Sequence, residues 1–340
     1  MGLFRNDLAI DLGSTSCLVF VRDKGVLLNE PSVVAIKHDR GKRSVIAVGH
    51  EASAMIGKTP ASIEVIKPLA EGVVGDLTVT EAMLRYFIKK AQPAFTFRKP
   101  KVIISIPAGV SEVEQRAVKD AAIAAGARRV YLIEEPVAAA LGAGLPITGT
   151  KGSMVVNIGG GMTQIGVFAL GEEVISQTLR VGGDALNKAL TEFIAHRYDV
   201  QIGEQTAEDL KRGIGTAYID GKVRGEMTME VRGRDLLVGV PKPINLTSDV
   251  VRDGMIETLQ QIANAVRKVL QGVPPELSAD ILDRGIVLTG GSSLLRNMDQ
   301  FLRDQTGVPV FVSDEPIQTV VRGAAIALQY IKSLKKLTAT

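Results

Sequence analysis

The chain is poor in the residue types that form disulfides, metal sites and strongly charged surfaces. Its 340 residues include one cysteine, three histidines and no tryptophan, and the formal net charge at pH 7 is only +3. The single cysteine, Cys17, excludes an internal disulfide and fits a reducing compartment. The histidines lie in unrelated polar segments, which argues against a metal cage. A charge so close to zero does not indicate a nucleic-acid partner.

Long hydrophobic runs are missing as well. No segment approaches the ~18 apolar residues of a membrane-spanning helix, and the opening residues M-G-L-F-R-N-D-L lack the apolar region of a signal peptide. Myristoylation is not expected, because Asn6 stands where Ser or Thr is required. A composition with 46% hydrophobic and 23% charged residues is that of a globular protein, here long enough for two domains. We expect it to lie in the cytoplasm.

Two matching glycine turns are the most informative part of the sequence. They read D-L-G-S-T-S at Asp11–Ser16 and N-I-G-G-G-M-T-Q at Asn157–Gln164, each between two β-rich segments. Strand–turn–strand is not the layout of a Walker loop, but two such hairpins can aim backbone N–H groups at one polyphosphate. The turns lie roughly 150 residues apart, one domain length, with a glycine-rich linker at Gly142–Gly152 between them. We therefore predict an internal duplication.

Outside these turns, strands alternate with helices, which is typical of an α/β fold. Thr80 is a candidate helix cap, and Ser111 with Glu114 has the spacing of a capping box. Thr247, or the residue after it, opens a long amphipathic helix. A last helix, at about 317–335, is expected to pack back onto the first domain.

Five segments in this order resemble the actin-like ATPases: the two glycine turns, I-E-E-P-V-A-A-A, R-V-G-G-D and L-T-G-G-S-S-L-L. Two longer segments, L-N-E-P-S-V-V-A-I and G-S-M-V-V-N-I-G-G-G, are similar to the bacterial rod-shape family MreB. The resemblance runs nearly end to end. It implies a duplicated actin-like (ribonuclease H-like) α/β fold, with two large domains flanking a nucleotide cleft.

Each large domain of that family carries a smaller subdomain. The resemblance implies a domain I formed by 1–145 and 313–340, with its small subdomain at about 32–77. Domain II would then be 146–312, with its small subdomain at about 182–244.

The resemblance also implies bound ATP, with GTP as the other candidate, together with Mg²⁺. Backbone amides, hydroxyls and one ion pair would hold the nucleotide. A surface ion pair remains the alternative reading of Glu208 and Lys211. The implied nucleotide-binding residues are Gly13, Ser14, Thr15 and Ser16 in the first loop, Gly159, Gly160, Gly161 and Met162 in the second, Glu208, Asp209, Leu210 and Lys211 on a helix, and Gly290, Gly291, Ser292 and Ser293 in an adenosine-binding turn.

Four residues are implied for catalysis. Glu135 falls on the catalytic glutamate, where it would orient the attacking water or accept its proton; Glu134 is the competing candidate. Asp11 would order water around Mg²⁺, an ion that keeps several waters and takes few carboxylates. Asn157 and Thr163 fall in the second loop beside the phosphates.

The second loop departs from the family pattern, D-I-G-G-G-T-T-E. Asn157 and Gln164 replace the two acidic residues, and Met162 replaces a hydroxyl. Binding through backbone amides does not need these side chains, but a charge that would help hold hydrated Mg²⁺ is lost. Positioned polar groups of this kind are often worth ~10²-fold in rate. We therefore expect ATP binding with slow hydrolysis.

A further expectation concerns the membrane. Phe95 and Phe97 lie in a segment rich in lysine and arginine, and Leu3 with Phe4 adds apolar side chains near the start of the chain. In the family such a loop can enter the bilayer; the alternative is that both phenylalanines pack on the domain. The resemblance implies self-association into filaments, contact with the inner face of the membrane, and cell-wall elongation proteins as partners.

Three other functions compete with a hydrolysing filament subunit. One is a small-molecule kinase of the same superfold, which would need a substrate base beyond Glu135. Another is a chaperone ATPase domain, which a peptide-binding domain would follow. The third is a regulatory, non-hydrolysing filament subunit that assembles with an active paralogue, and Asn157 favours this third reading.

Overall fold

The computed structural model describes residues 7–39, 41–70, 73–92, 99–218, 227–330 and 338–339. Its first half contains strands and helices in alternation. They are β1 (Leu8–Leu12), β2 (Ser16–Val21), β3 (Gly25–Pro31), β4 (Val34–Asp39), β5 (Lys42–Val48), α1 (His50–Ser53), β6 (Ile63–Ile66), β7 (Leu69–Ala70), β8 (Val73–Val74), α2 (Leu77–Ala91), β9 (Lys101–Ile106), α3 (Glu112–Ala124), β10 (Arg129–Glu134) and α4 (Glu135–Gly142).

The second half repeats much of this plan. Its elements are β11 (Ser153–Ile158), β12 (Thr163–Ala169), β13 (Glu172–Leu179), α5 (Gly183–Tyr198), β14 (Val200–Gln201), α6 (Glu204–Ile214), β15 (Thr228–Asp235), β16 (Pro241–Thr247), α7 (Ser248–Gly272), α8 (Pro275–Arg284), β17 (Ile286–Thr289), a 3₁₀ turn (Gly291–Leu294), α9 (Met298–Thr306), β18 (Val310–Val312), α10 (Thr319–Gln329) and β19 (Thr338–Ala339).

Five strands of each large sheet have the same topology, as the predicted duplication requires, and β19 adds an antiparallel sixth strand to the first sheet. The first has the order β3-β2-β1-β9-β10-β19 and the second β13-β12-β11-β17-β18. In each, a three-stranded antiparallel meander is followed by two parallel strands. Both glycine turns therefore close antiparallel hairpins, and both lie at the carboxyl end of the first strand of their sheet. Ligands of α/β proteins commonly bind at that end of a sheet.

Two three-stranded sheets are hydrogen-bonded separately from the large ones. Strands β5, β4 and β6 form one, and β14, β15 and β16 form another. They fall within or next to the small subdomains that the resemblance implied, at 32–77 and 182–244. The exact domain bounds stay a prediction.

Helices α2, α3 and α7 begin at a side-chain cap, and one of the predicted caps is wrong. Ser111 and Glu114 form the predicted capping box of α3, and the Thr247 side chain accepts from the Val250 amide at the start of α7. The prediction for Thr80 is wrong: α2 begins earlier, because the Asp76 side chain accepts from the amide three residues on. The Asp76 carboxylate lies just before the first turn of α2 and accepts from one of its free backbone N–H groups. The pattern of apolar residues does not reveal such a cap.

The two large sheets are joined by a close helix crossing, in which α4 packs on β11 and β12 of the second sheet. Helix α10 packs on α4 and on strands β1 and β9, as expected for a last helix that returns to the first domain. A Cβ at Gly142 would overlap the carbonyl oxygen of Thr319, and one at Gly323 would overlap that of Ala138. Only glycine allows the two backbones to approach this closely. Over the described ranges, no helix has both the length and the apolarity needed to cross a bilayer.

Candidate functional site

A cleft between the two large sheets encloses a cavity of about 500 Å³, within the range of small-molecule sites. Both glycine turns contribute to its walls. Most of the predicted residues line it: Asp11, Gly13, Ser14, Thr15, Ser16, Glu135, Asn157, Gly159, Gly160, Gly161, Met162, Glu208, Lys211, Gly290, Gly291 and Ser292.

The two glycine turns face each other directly. A Cβ at Gly160 would overlap the hydroxyl of Thr15, and one at Gly161 would overlap that of Ser14. Backbone N–H groups without a neighbouring Cβ are open to phosphate oxygens. The arrangement therefore brings donors from both domains to one point, as the sequence predicted.

Asp11 and Asn157 occupy equivalent places in the two sheets. Asp11 is paired in register with Ser105 on β9, whose hydroxyl donates to it at 2.7 Å. Asn157 is paired with Thr289 on β17, whose hydroxyl donates to its side-chain oxygen at 3.1 Å. Burial raises the pKa of Asp11 to about 6, against the opposing effect of the Ser105 hydrogen bond. A buried carboxylate of this kind favours a nearby cation.

Glu135 begins helix α4 and is buried beside this pair. Its Oε2 accepts a hydrogen bond from the Asn157 amide at 3.2 Å and another from the Gln164 amide. Burial, and after it the negative charge of Asp11, raises the pKa of Glu135 to about 8, while the two amides act in the opposite direction. A carboxyl group poised near neutrality and facing a cleft is suited to proton transfer.

The competing acid, Glu134, lies one residue earlier, at the end of β10. Burial, followed by the charge of Glu173, raises the pKa of Glu134. Glu134 is not among the residues that line the cavity, whereas Glu135 is. The geometry favours Glu135 as the group that reaches a ligand.

Glu208 and Lys211 form an ion pair on α6 that is partly buried in the cleft wall. Lys211 Nζ lies 2.6 Å from Glu208 Oε2 and donates to the Gly183 carbonyl at 2.9 Å. Asn187 donates to the same carboxylate at 2.8 Å. Burial alone would raise the pKa of Glu208, but Lys211 and Asn187 outweigh it and the pKa is lowered. The pair is therefore more than a solvated surface contact.

The turn that follows β17 is tied to the second glycine turn. Ser292 donates to the Gly159 carbonyl at 2.8 Å, and Ser293 donates to the Gly290 carbonyl at 2.6 Å. Gly290 has φ +84°, and a Cβ there would overlap the carbonyl of Ile158. A residue with a side chain would strain this turn, which explains the glycine.

Some predicted residues are placed elsewhere. Thr163 is buried and donates its hydroxyl to the Val181 carbonyl at 2.8 Å, so that group is not directed into the cavity. Asp209 accepts from Gln205 on the outer side of α6, and Leu210 belongs to the core of the second domain. Ser293, with its hydroxyl bonded inside the turn, does not line the cavity either. The four membrane candidates, Leu3, Phe4, Phe95 and Phe97, lie outside the described residues.

Sequence reasoning missed several polar side chains at the site. Ser105 and Thr289 stand out only as lone polar residues near the ends of two apolar strands, K-V-I-I-S-I and I-V-L-T. Their equivalence follows from the duplication, once strand order is known. The sequence presents Gln164 only as a lost charge, and its contact with Glu135 depends on the pairing of β12 with β11.

The carboxylates that line the cavity fit a magnesium ion whose remaining ligands are water and phosphate. Asp11 and Glu135 are two of the carboxylates on the cavity wall, and Asp184, which accepts from the Thr15 hydroxyl at 3.2 Å, is another. Among the described residues, no group of three or more His, Cys, Asp or Glu side chains could hold a metal on its own. Mg²⁺ that keeps its waters and binds phosphate needs only one or two such carboxylates.

The chain is similar to known proteins in both sequence and structure. The family model described as MreB/Mbl protein matches residues 5–336. Cell shape-determining protein MreB of Escherichia coli K12 is 47% identical, over 97% of this chain and 95% of its own. Cell shape-determining protein Mbl of Bacillus subtilis 168 is 42% identical, over 98% and 99%. The crystal structure of MreB5 of Spiroplasma citri bound to AMPPNP aligns with a TM-score of 0.91 at 32% identity, over 98% and 99%. These matches confirm the actin-like fold.

Proposed function

Because the chain belongs to the MreB/Mbl family, we propose that it is a bacterial actin homologue that binds ATP between its two domains and assembles into filaments that determine cell shape. The observation that carries the proposal is the pair of facing glycine turns at one end of a 500 Å³ cleft. Adenine nucleotide is the ligand of the aligned MreB5 structures, which contain AMPPNP and ADP. GTP remains the alternative nucleotide.

Each wall of the cleft has a separate task in this proposal. Amides of Gly13 and of Gly159–Gly161 bind phosphate oxygens, and the hydroxyls of the first loop add donors. Glu208 and Lys211 contact the nucleoside, beside the turn that begins at Gly290. Asp11 holds the water shell of Mg²⁺, which neutralises charge on the phosphates.

Hydrolysis is proposed to be slow. Glu135 orients the attacking water and accepts its proton, which requires the carboxylate form. Asn157 lacks the negative charge that would help hold hydrated Mg²⁺, while its amide donates to Glu135. We therefore expect ATP to bind well and turn over poorly.

Phosphate release by the purified protein, measured with sedimentation and electron microscopy, tests this function. We expect ATP-dependent filaments with slow release of phosphate, and faster release from an Asn157→Asp variant at matched protein concentration. No change in that variant, or a fall, would contradict the assigned cause of slow turnover. A monomer that phosphorylates a small molecule would support the kinase reading instead.

A second candidate function rests on the two amides around Glu135. A passive filament subunit, which binds ATP and assembles with an active paralogue, needs the phosphate-binding amides but not the lost acids at positions 157 and 164. Filaments of the purified protein that release no phosphate, even after long incubation, would favour this function.

We further propose association with the inner face of the cell membrane and with cell-wall elongation proteins. Phe95 and Phe97 are surrounded by lysines and arginines in the sequence. Two partly inserted phenylalanines contribute about 2–4 kcal/mol, and each basic residue near anionic lipid about 1 kcal/mol. A single subunit would bind weakly, whereas a filament presents many copies and binds firmly.

Liposome co-sedimentation tests the membrane proposal. The double variant Phe95→Ser/Phe97→Ser should lose most binding to anionic vesicles while still forming filaments. A matched control is Phe311→Ser, which removes an exposed phenylalanine on β18. Unchanged sedimentation of the double variant would remove the segment from the proposal.

A further inference from the structure

The side chain of Gln164 contacts both the catalytic candidate and a loop of the first domain. Gln164 lies on β12, paired in register with Asn157 on β11, and only 1% of it is exposed. Its Oε1 accepts from the Ala108 backbone amide at 2.9 Å, in the loop between β9 and α3. Its Nε2 donates to Glu135 Oε2. One buried side chain from the second domain thus joins two points of the first.

The orientation of this amide follows from its partners. A backbone N–H can only donate, so the group that faces Ala108 must be the oxygen of Gln164. The NH₂ group is then directed at Glu135, where it needs an acceptor. The contact therefore favours a carboxylate oxygen at Glu135 Oε2 that carries no proton.

Both amide donors meet the same oxygen of Glu135. Asn157 and Gln164 each donate to Oε2, and no hydrogen bond to Oε1 is found within the part of the chain that the structure describes. Glu135 also lines the cavity. One oxygen is held in place, and the other is left for a ligand or a water in the cleft.

We propose that Gln164 is a positioning residue, which fixes the orientation of the Glu135 carboxylate by bridging it to the Ala108 amide. This inference rests on the proposed function, because it assigns Glu135 to the attack of water on the bound nucleotide. Gln164 itself does not touch the nucleotide, since it is absent from the residues that line the cavity.

Glutamine suits this bridge for a chemical reason. A shorter asparagine would not span the two partners, and a methionine of similar length has neither donor nor strong acceptor. Removal of the side-chain amide leaves the half-buried Ala108 N–H without its acceptor and Glu135 without one of its two donors. The carboxylate is then free to turn away from the productive geometry, which commonly costs about ten- to a hundredfold in rate.

The test compares Gln164→Met with Thr178→Val. Thr178 donates to the Ala108 carbonyl at 3.3 Å, so its variant loosens the same loop while the bridge to Glu135 stays intact. For Gln164→Met we expect kcat for phosphate release to fall about tenfold or more, with AMPPNP affinity within about twofold of the wild type. For Thr178→Val we expect both to stay within about twofold.

A double-mutant cycle provides a readout that does not need turnover. Glu135→Gln is combined with Gln164→Met, and separately with Thr178→Val, and melting temperatures are measured without nucleotide. The effects on melting temperature should be non-additive for the first pair and additive for the second, because Gln164 contacts Glu135 and Thr178 does not.

The outcomes separate this inference from the proposed function. Wild-type protein that binds no AMPPNP would contradict the proposed function. Measurable phosphate release by the wild type, with an unchanged kcat in Gln164→Met, would overturn the positioning role alone. If the wild type binds AMPPNP and releases no phosphate, the cycle decides: additivity of the first pair overturns the inference, and coupling supports it.

Discussion

At the scale of single residues, the cleft is organised around a carboxylate of one domain held by amides of the other. Glu135 extends from α4, and Asn157 and Gln164 reach it from neighbouring strands. Burial and the charge of Asp11 raise its pKa to about 8. Two ionised carboxylates are therefore disfavoured side by side in this cleft, and a bound cation would relieve both.

This environment predicts how stability depends on pH. The pKa of Glu135 rises from 4.5 to about 8 on folding, so the folded state binds the proton more tightly. The resulting stabilisation is complete below pH 4.5 and is lost as pH rises through about 8. Asp11, raised from 3.8 to about 6, adds an effect of the same sign at lower pH.

The measurement is thermal unfolding between pH 5.5 and 8.5, with EDTA and without nucleotide. Relative to Glu135→Gln, the wild type should lose stability with rising pH, by at most about 1.4 kcal/mol per pH unit. Parallel curves for the two proteins would show that Glu135 does not titrate in this range.

A residue of the site could be predicted from the sequence where it belongs to a local motif. It could not be predicted where its contacts depend on how distant strands pair. The glycine turns needed only local spacing, because hairpins are local structures. The role of Gln164 depends on strand pairing and on the Ala108 amide, which no sequence pattern contains. Ser105 and Thr289 needed strand order as well.

At the scale of elements, the crossing of α4 and α10 joins the two large sheets. Helix α4 follows β10 of the first large sheet, and α10 follows β18 of the second. The two helices therefore occupy equivalent places in the duplicated plan. Their backbones touch at Gly142 and Gly323. The boundaries of such helices are harder to predict than their existence: the apolar pattern identifies Thr247 as a cap but does not identify Asp76.

Gly323→Ala should therefore be strongly destabilising. The new Cβ would overlap the Ala138 carbonyl, a backbone atom that cannot rotate away, and overpacking of this kind costs about 1–3 kcal/mol. Scanning fluorimetry should show a melting temperature lower by roughly 3–10 °C.

Gly213→Ala is the matched control for this variant. It lies inside α6, and its Cβ would meet only the flexible Met229 sulfur, at 3.3 Å. It should be neutral or slightly stabilising, since alanine is the better helix former. Equal melting temperatures for the two variants would mean that α10 can shift away from α4 without cost.

At the scale of the whole molecule, polar contacts link the domains across the mouth of the cleft. Lys67, between β6 and β7, lies 3.2 Å from Asp184 and 3.1 Å from Glu204, which are in the first turns of α5 and α6. Thr15 donates to the same Asp184 oxygen at 3.2 Å. Burial alone would lower the pKa of Lys67, but the two carboxylates raise it, so the lysine stays charged.

Lys67→Ala should accelerate release of nucleotide, because one link that holds the domains together is removed. We expect a rise of roughly two- to fivefold in the dissociation rate of a fluorescent ATP analogue, as partly exposed ion pairs are worth about 0.2–1 kcal/mol. The effect should shrink at high salt. Lys188→Ala, which breaks an exposed pair with Glu192 on α5, is the control; equal rates in both variants would exclude the link.

In the proposed function, backbone amides of two facing turns bind adenine nucleotide between the domains. Calorimetric titration of the wild type, Gly160→Val and Gly203→Val with Mg²⁺ and AMPPNP measures this binding. A Cβ added at Gly203 would meet no heavy atom within 4 Å, whereas a side chain at Gly160 enters the space between the turns. We predict saturable binding to the wild type and Gly203→Val, and an affinity at least about tenfold weaker for Gly160→Val. No heat with the wild type, or equal affinity for all three, would contradict the account.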